Sequence, residues 1–179
     1  DVQNERYAAA ALAAKKQLSN LKPATQDQHY LQKKGCTPTN DIYAAGKTLC
    51  VPGYDPNGEL LTIAYYYPEY KGYFEGARKH GAMHPIGLDL KNESVKPPPL
   101  LITEGYATGN TVHQATGIPT VVAFDGGNIK EVCDELREKY PDALIVICAD
   151  NDKWMERDDK IGYNKGLKTA REAADKVGG

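Results

Sequence analysis

The sequence predicts an α/β fold: a mostly parallel sheet flanked by helices in the C-terminal half, preceded by a smaller α+β subdomain. Two observations carry this. Between Leu100 and Asp152, two short apolar runs, LLITEG and ALIVICADND, each read as a buried strand ending on carboxylates, with helical periodicity between them. Upstream, from Thr48 to Tyr67, the pattern changes to alternation across an Asp-Pro-Asn-Gly turn, the signature of a β-hairpin.

Residues 1 to about 21 are Ala-rich, and Tyr7, Ala11, Ala14, Leu18 and Leu21 are spaced for one face of a helix that packs on the neighbouring subdomain. Pro23 stops that helix, and QDQHYLQKKG forms a second short one ended by Gly35, with His29 and Tyr30 structural. The hairpin sets Leu49 and Val51 against Leu61, Ile63 and Tyr65. Tyr65, Tyr66 and Tyr67 invite a base-stacking reading, but strand neighbours point to opposite faces, so packing is the reading kept. The next loop carries Lys71, Arg78, Lys79 and His80 among glycines and aromatics, a composition suited to template phosphates or triphosphate oxygens. Pro97-Pro98-Pro99 is a stiff linker, which divides the chain into residues 1–97 and 98–179.

In the second part, Gly105 is expected to let the chain turn closely after Glu104, and Tyr106 to Thr116 forms a helix capped by Gly117. Ile118 to Phe124 reads as a strand. Asn128, with Glu131 three residues on, reads as the N-cap of a helix burying Ile129, Val132, Cys133, Leu136 and Tyr140. Ala143 to Ala149 is a third strand. A polar loop from Lys153 to Tyr163, carrying Lys153, Arg157 and Lys160, precedes a final helix whose inward positions are Leu167, Ala170, Ala174 and Val177.

A residue just past the C-terminal end of a buried strand stands at the open edge of its sheet, so Glu104, Asp150 and Asp152 can converge there. Residues i and i+2 of extended chain share a face, which lets Asp150 and Asp152 address one divalent ion. Acids after strands also cap helices or sit in solvated turns. Two such motifs closing core strands of one unit of about 50 residues point instead to a metal site for phosphoryl transfer. Asp125 at the same edge and Asn151 between the aspartates are placed as supporting residues, and Gly105 and Lys153 as further nucleotide or template contacts.

Net charge is −2 and the pI near 6.1, so no global basic field advertises nucleic acid, although clustered acids can mask local basic patches. Cys36, Cys50, Cys133 and Cys148 have no zinc or haem spacing and read as reduced thiols of a cytoplasmic protein. His84 and His113 have no ligand-like partner in sequence and read as structural. There is no signal peptide or membrane span. A start at Asp1 and an end at Gly178-Gly179 suggest a segment of something longer.

The ordered set ITEGYATG, VVAFDGG, IVICADND and NKGLKTAREAA resembles the Toprim domain, a Rossmann-like unit, and in particular the Toprim primases of plasmids and phages. The segment from Leu49 to Gly87 is similar to the one that precedes Toprim in DnaG-type primases. The resemblance implies a DNA primase catalytic core, a nucleotidyltransferase of DNA replication that makes short RNA primers from ribonucleoside triphosphates on single-stranded DNA. It implies Glu104, Asp150 and Asp152 as catalytic ligands of Mg²⁺ or Mn²⁺, Lys71 and the Arg78-Lys79-His80-Gly81 run as the basic segment, and a replicative helicase as a possible partner. His80 stands where the family has lysine, and the strand that comes after the last Toprim helix is absent. A Toprim nuclease, a receiver domain or a non-catalytic nucleic-acid or nucleotide-binding module are the alternatives, and neither of the first two needs the upstream hairpin.

Overall fold

A computed structural model describes residues 2–92, 99–153 and 163–178. Helix α1 (Val2–Ser19) lays Ala14 and Leu18 on Cys50, Ile63 and Tyr65, the face its spacing predicts. Strand β1 (Lys22–Pro23) comes next, then α2 (His29–Lys34). Gln28 caps α2, its side-chain oxygen accepting the Tyr30 and Leu31 N–H groups, and Gly35 ends it in the left-handed region.

Strands β2 (Tyr43–Ala45), β3 (Thr48–Tyr54), β4 (Leu60–Tyr66) and β5 (Lys71–Tyr73) complete an antiparallel sheet in the order β1-β2-β3-β4-β5. The β3–β4 turn is the predicted one. The Asp55 carboxylate accepts the N–H groups of Asn57 and Glu59, and Gly58 takes φ +77°.

The second sheet contains β6 (His84–Ile86), β7 (Leu100–Thr103), β8 (Thr120–Val122) and β9 (Ile145–Cys148). Their order is β6-β8-β7-β9, with β8, β7 and β9 parallel and β6 antiparallel. Helices α3 (Tyr106–Thr116), α4 (Gly126–Lys139) and α5 (Lys165–Val177) flank it. Register puts Thr103 level with Val122 and Cys148, so the chain segments leaving all three parallel strands emerge at one edge.

Two cores hold this together. One packs Leu100, Ile102, Val121 and Ile145 against Leu136 of α4 and Ala173 and Val177 of α5. The other joins Leu31, Ile42 and Val51 from the first sheet's side to Ile86, Tyr106, Val122 and Phe124 from the second. Tyr54 and Met83 exchange two backbone hydrogen bonds, of 2.7 and 2.9 Å, which stitch the sheets together. The second sheet thus takes β6 from before the proline run. Pro97 and Pro98 themselves lie outside the described residues.

Three local expectations need correction. Helix α4 starts at Gly126 with Asp125 in the cap position, because the Asn128 side chain is committed to the Gly81 N–H and to the Ala82 and Ala123 carbonyls. Strand β8 stops at Val122, two residues before Phe124, which takes φ +70°. On α5, Ala170 and Val177 are buried as expected, but Ala173 is buried where Ala174 is expected, and Ala174 is only half-buried. The four cysteines are free thiols. His84 is wholly buried; it donates from Nδ1 to the Pro52 carbonyl at 2.9 Å, and burial pushes its pKa down to about 4, which keeps it neutral. Among the described residues, no helix is long and apolar enough to cross a membrane.

The shared core makes a prediction. A fragment beginning at residue 99 loses β6 and exposes Tyr106, Val122 and Phe124, so it should aggregate or melt without a cooperative transition, whereas the whole chain unfolds in one. Circular dichroism melts of the two would decide, and a cooperatively folded fragment would refute the dependence on the shared core.

Candidate active site

Glu104 comes directly after β7, and Asp150 and Asp152 come after β9. Glu104 is half-buried, and its pKa is raised first by burial, then by the charge of Asp150 and, less, of Asp152. Burial and the charge of Asp152 also raise Asp150. The three acids are therefore close enough to repel one another. The Gly126 N–H at the start of α4 donates to the Glu104 carboxylate, and a positive helix end is the natural seat for such a charge. A Cβ on Gly126 would come within 3.2 Å of Glu104 Oε2. Among the described residues, no three His, Cys, Asp or Glu side chains enclose a common point tightly enough to hold an ion. The donor set, three carboxylates of which Glu104 and Asp150 are raised in part by neighbouring negative charge, fits a hard dication, which takes oxygen ligands and relieves that repulsion.

The Asp150–Asp152 loop is held from α5. Asn164 caps that helix, its Oδ1 accepting the Leu167 and Asp152 N–H groups at 3.1 and 3.2 Å, while its Nδ2 donates to Asn151 Oδ1 at 2.9 Å. The Gly166 N–H donates to Asp152 Oδ2 at 3.2 Å. A side chain at Gly166 would collide with the Asp150 carbonyl oxygen. Asn164, Gly166 and Gly126 are positions that sequence reading passed over. An Asn directly before the last helical run was a legible cap signal. The need for glycine came only from the close approach of a loop 14 residues away.

The basic segment divides. Lys71, on the edge strand β5, donates to the Phe124 carbonyl at 2.5 Å, and burial lowers its pKa against the opposing pull of Asp125 and Glu104. Lys79 pairs with Asp125 at 3.0 Å. Both ammonium groups lie over the Tyr73 ring, 5.7 and 5.3 Å from its centre. Arg78 and His80 instead turn to α4, reaching Glu135 and Glu131 at 3.6 and 3.3 Å. Gly105 has ordinary extended backbone and open space around an added Cβ, so the turn after Glu104 does not require glycine. Lys153 is exposed beside the edge, and Arg157 and Lys160 lie outside the described residues.

This edge, with a glutamate after one parallel strand and Asp-x-Asp after its neighbour, defines a Toprim domain, and the family model of that name matches residues 99–179. Residues 99–179 belong to the Toprim family. Over 99% of its length the chain is similar to two Escherichia coli proteins, each named DNA primase TraC, at 35% and 33% identity; it spans 17% and 12% of their lengths. Its fold is also that of the Aquifex aeolicus primase fragment with zinc-binding and RNA polymerase domains (TM-score 0.57, 12% identity, 98% of this chain and 52% of that one). The DnaG catalytic core is similarly related (TM-score 0.53, 14% identity, 96% and 65%).

Two outcomes test this geometry. Gly166→Ala should cost roughly 1–3 kcal/mol through overpacking and weaken Mn²⁺ binding, because the Asp150 carbonyl must move; a variant with unchanged melting and metal affinity would show the clamp to be slack. Glu135, set under Gly81, has its pKa raised to about 7, mainly by burial. A carboxyl raised on folding costs stability as pH climbs from the usual carboxylate range to about 7. Glu135→Gln should therefore melt above the wild type at pH 8, with the gain shrinking towards pH 5. A Gln variant that is less stable at pH 8 would mean that the Arg78 pair outweighs burial.

Proposed function

We propose that this chain is the catalytic core of a DNA primase, joining ribonucleoside triphosphates into short RNA primers on single-stranded DNA with Mg²⁺ or Mn²⁺. One observation carries the reading: carboxylates from the second sheet and Lys71 and Lys79 from the first part of the chain meet at one edge. Opposite charges in one cleft are what a reaction between a triphosphate and a hydroxyl needs. Similarity to two proteins named DNA primase over nearly the whole chain supports it. A nuclease could use the same acids but gives no role to lysines delivered through a shared core.

Asp150, Asp152 and Glu104 would hold the divalent ion. The chemistry such an ion supplies when bound is neutralisation of triphosphate oxygens and activation of the attacking 3′-hydroxyl. Lys71 and Lys79 orient the triphosphate, since each presents a compact ammonium at the mouth of the site. Where Glu104 does not ligate the ion, it would instead act as the general base that takes the proton of the 3′-hydroxyl. Template DNA and a replicative helicase, separate or in the same polypeptide, are the partners this implies.

With single-stranded template, labelled ribonucleotides and Mg²⁺, the wild-type chain should make short products that chelation abolishes. Asp150→Asn and Asp152→Asn should each reduce synthesis to background while leaving the circular dichroism spectrum and melting cooperativity intact. Primer synthesis retained in both variants would remove the assignment.

A further inference from the structure

The turn joining β4 to β5 carries an aromatic row that the chemistry above leaves unused. The rings of Tyr67 and Tyr70 stack with centres 4.3 Å apart and planes 21° from parallel. Both lean over the bare backbone of Gly72, where an added Cβ would meet Tyr67 at 3.4 Å and Tyr70 at 4.0 Å. Tyr65 extends the row, 5.8 Å from Tyr67, and its hydroxyl donates to Gln17 at 3.0 Å. Tyr66 faces the other way into the shared core, whereas Tyr65 and Tyr67 pack in the cluster that carries α1, so the free face of the row is that of Tyr70. Tyr70 ends it 64% exposed, an aromatic face held at fixed tilt by the ring beneath.

The strand on which the row leans, β5, also carries Lys71 and Tyr73, the residues that face Glu104 and Asp125. An open hollow of about 680 Å³ is bounded by Tyr65, Tyr67, Tyr73 and Phe74, and Tyr73 is the ring beneath Lys71 and Lys79. Lys33 reaches the same turn and donates from Nζ to the Pro68 carbonyl at 3.1 Å. Lys71 is the residue after Tyr70. Glu69 and Glu75 lie along the way as opposing charges. Stacked aromatics beside ammonium groups suit a ligand that alternates flat rings with phosphates, and only an unpaired base offers a free face to stack.

We propose that Tyr70, braced by the ring beneath it, marks the track by which single-stranded template reaches the acid edge, with a nucleobase stacked on it and a flanking phosphate met by Lys33. The inference rests on the primase reading and adds to it the position and sequence tolerance of the template. Every base has a π-face, so the contact is indifferent to sequence.

Fluorescence anisotropy of a labelled single-stranded DNA of mixed sequence tests it, using the whole chain. Tyr70→Ala should weaken binding by about tenfold, the loss of one stacked base, with the salt slope unchanged. Tyr70→Phe should bind as the wild type does. Equal binding by Tyr70→Ala and wild type would overturn the stack while leaving the primase reading untouched. Loss in the Phe variant as well, or a flattened salt slope, would overturn stacking in favour of hydroxyl or phosphate contacts. A wild-type chain that binds no single-stranded DNA, or binds duplex equally well, would bring down the template track; metal-dependent ribonucleotide incorporation, measured on the same preparation, reports separately on the primase reading.

Discussion

Collecting carboxylates at one sheet edge sets like charges against one another, and the surrounding structure is arranged to tolerate it. Near a protein surface, unit charges a few ångströms apart repel by roughly a few kcal/mol. The raised Glu104 and Asp150 pKa values are the local signs of burial and of that repulsion. Backbone N–H groups oppose it, from Gly126 to Glu104 and from Gly166 to Asp152. Asn164 ties Asn151 and Asp152 to the start of α5, so the acids are held by hydrogen bonds to the start of two helices.

Positive charge arrives from the other part of the chain, and the shared core is what delivers it. Phe124 packs with Val51, Ala64 and Tyr66 from the first sheet while its carbonyl accepts from Lys71. It does so at φ +70°, a backbone state that disfavours a bulky residue, and such states persist where surrounding packing imposes them. The next residue, Asp125, holds Lys79. One strained turn therefore holds Lys71 beside Glu104 and Lys79 beside Asp125.

Much of this was legible in residue patterns because the strands are short, apolar and succeeded at once by acids. The α1 face, the Asp55–Gly58 turn and the Gly35 and Gly117 caps obey local rules and come out as read. What local rules miss is tertiary. Asn128 looks like a cap, yet its amide is taken by Gly81, Ala82 and Ala123. Arg78 and His80 look like free phosphate ligands, yet they are turned towards Glu135 and Glu131, whose spacing on α4 becomes meaningful only once the loop is laid across it. Gly105 and Gly166 look alike on paper, and only packing tells the permissive glycine from the obligatory one.

Paramagnetic Mn²⁺ titrated into isotope-labelled protein tests the central claim, that acids of the second part hold a dication beside the lysines of the first, most directly. The account predicts saturable broadening centred at once on the amides of Gly126, Gly166 and Gly72, lost in a Glu104→Gln, Asp150→Asn, Asp152→Asn variant that keeps its fold. Broadening confined to one strand end, or unchanged in that variant, would contradict it.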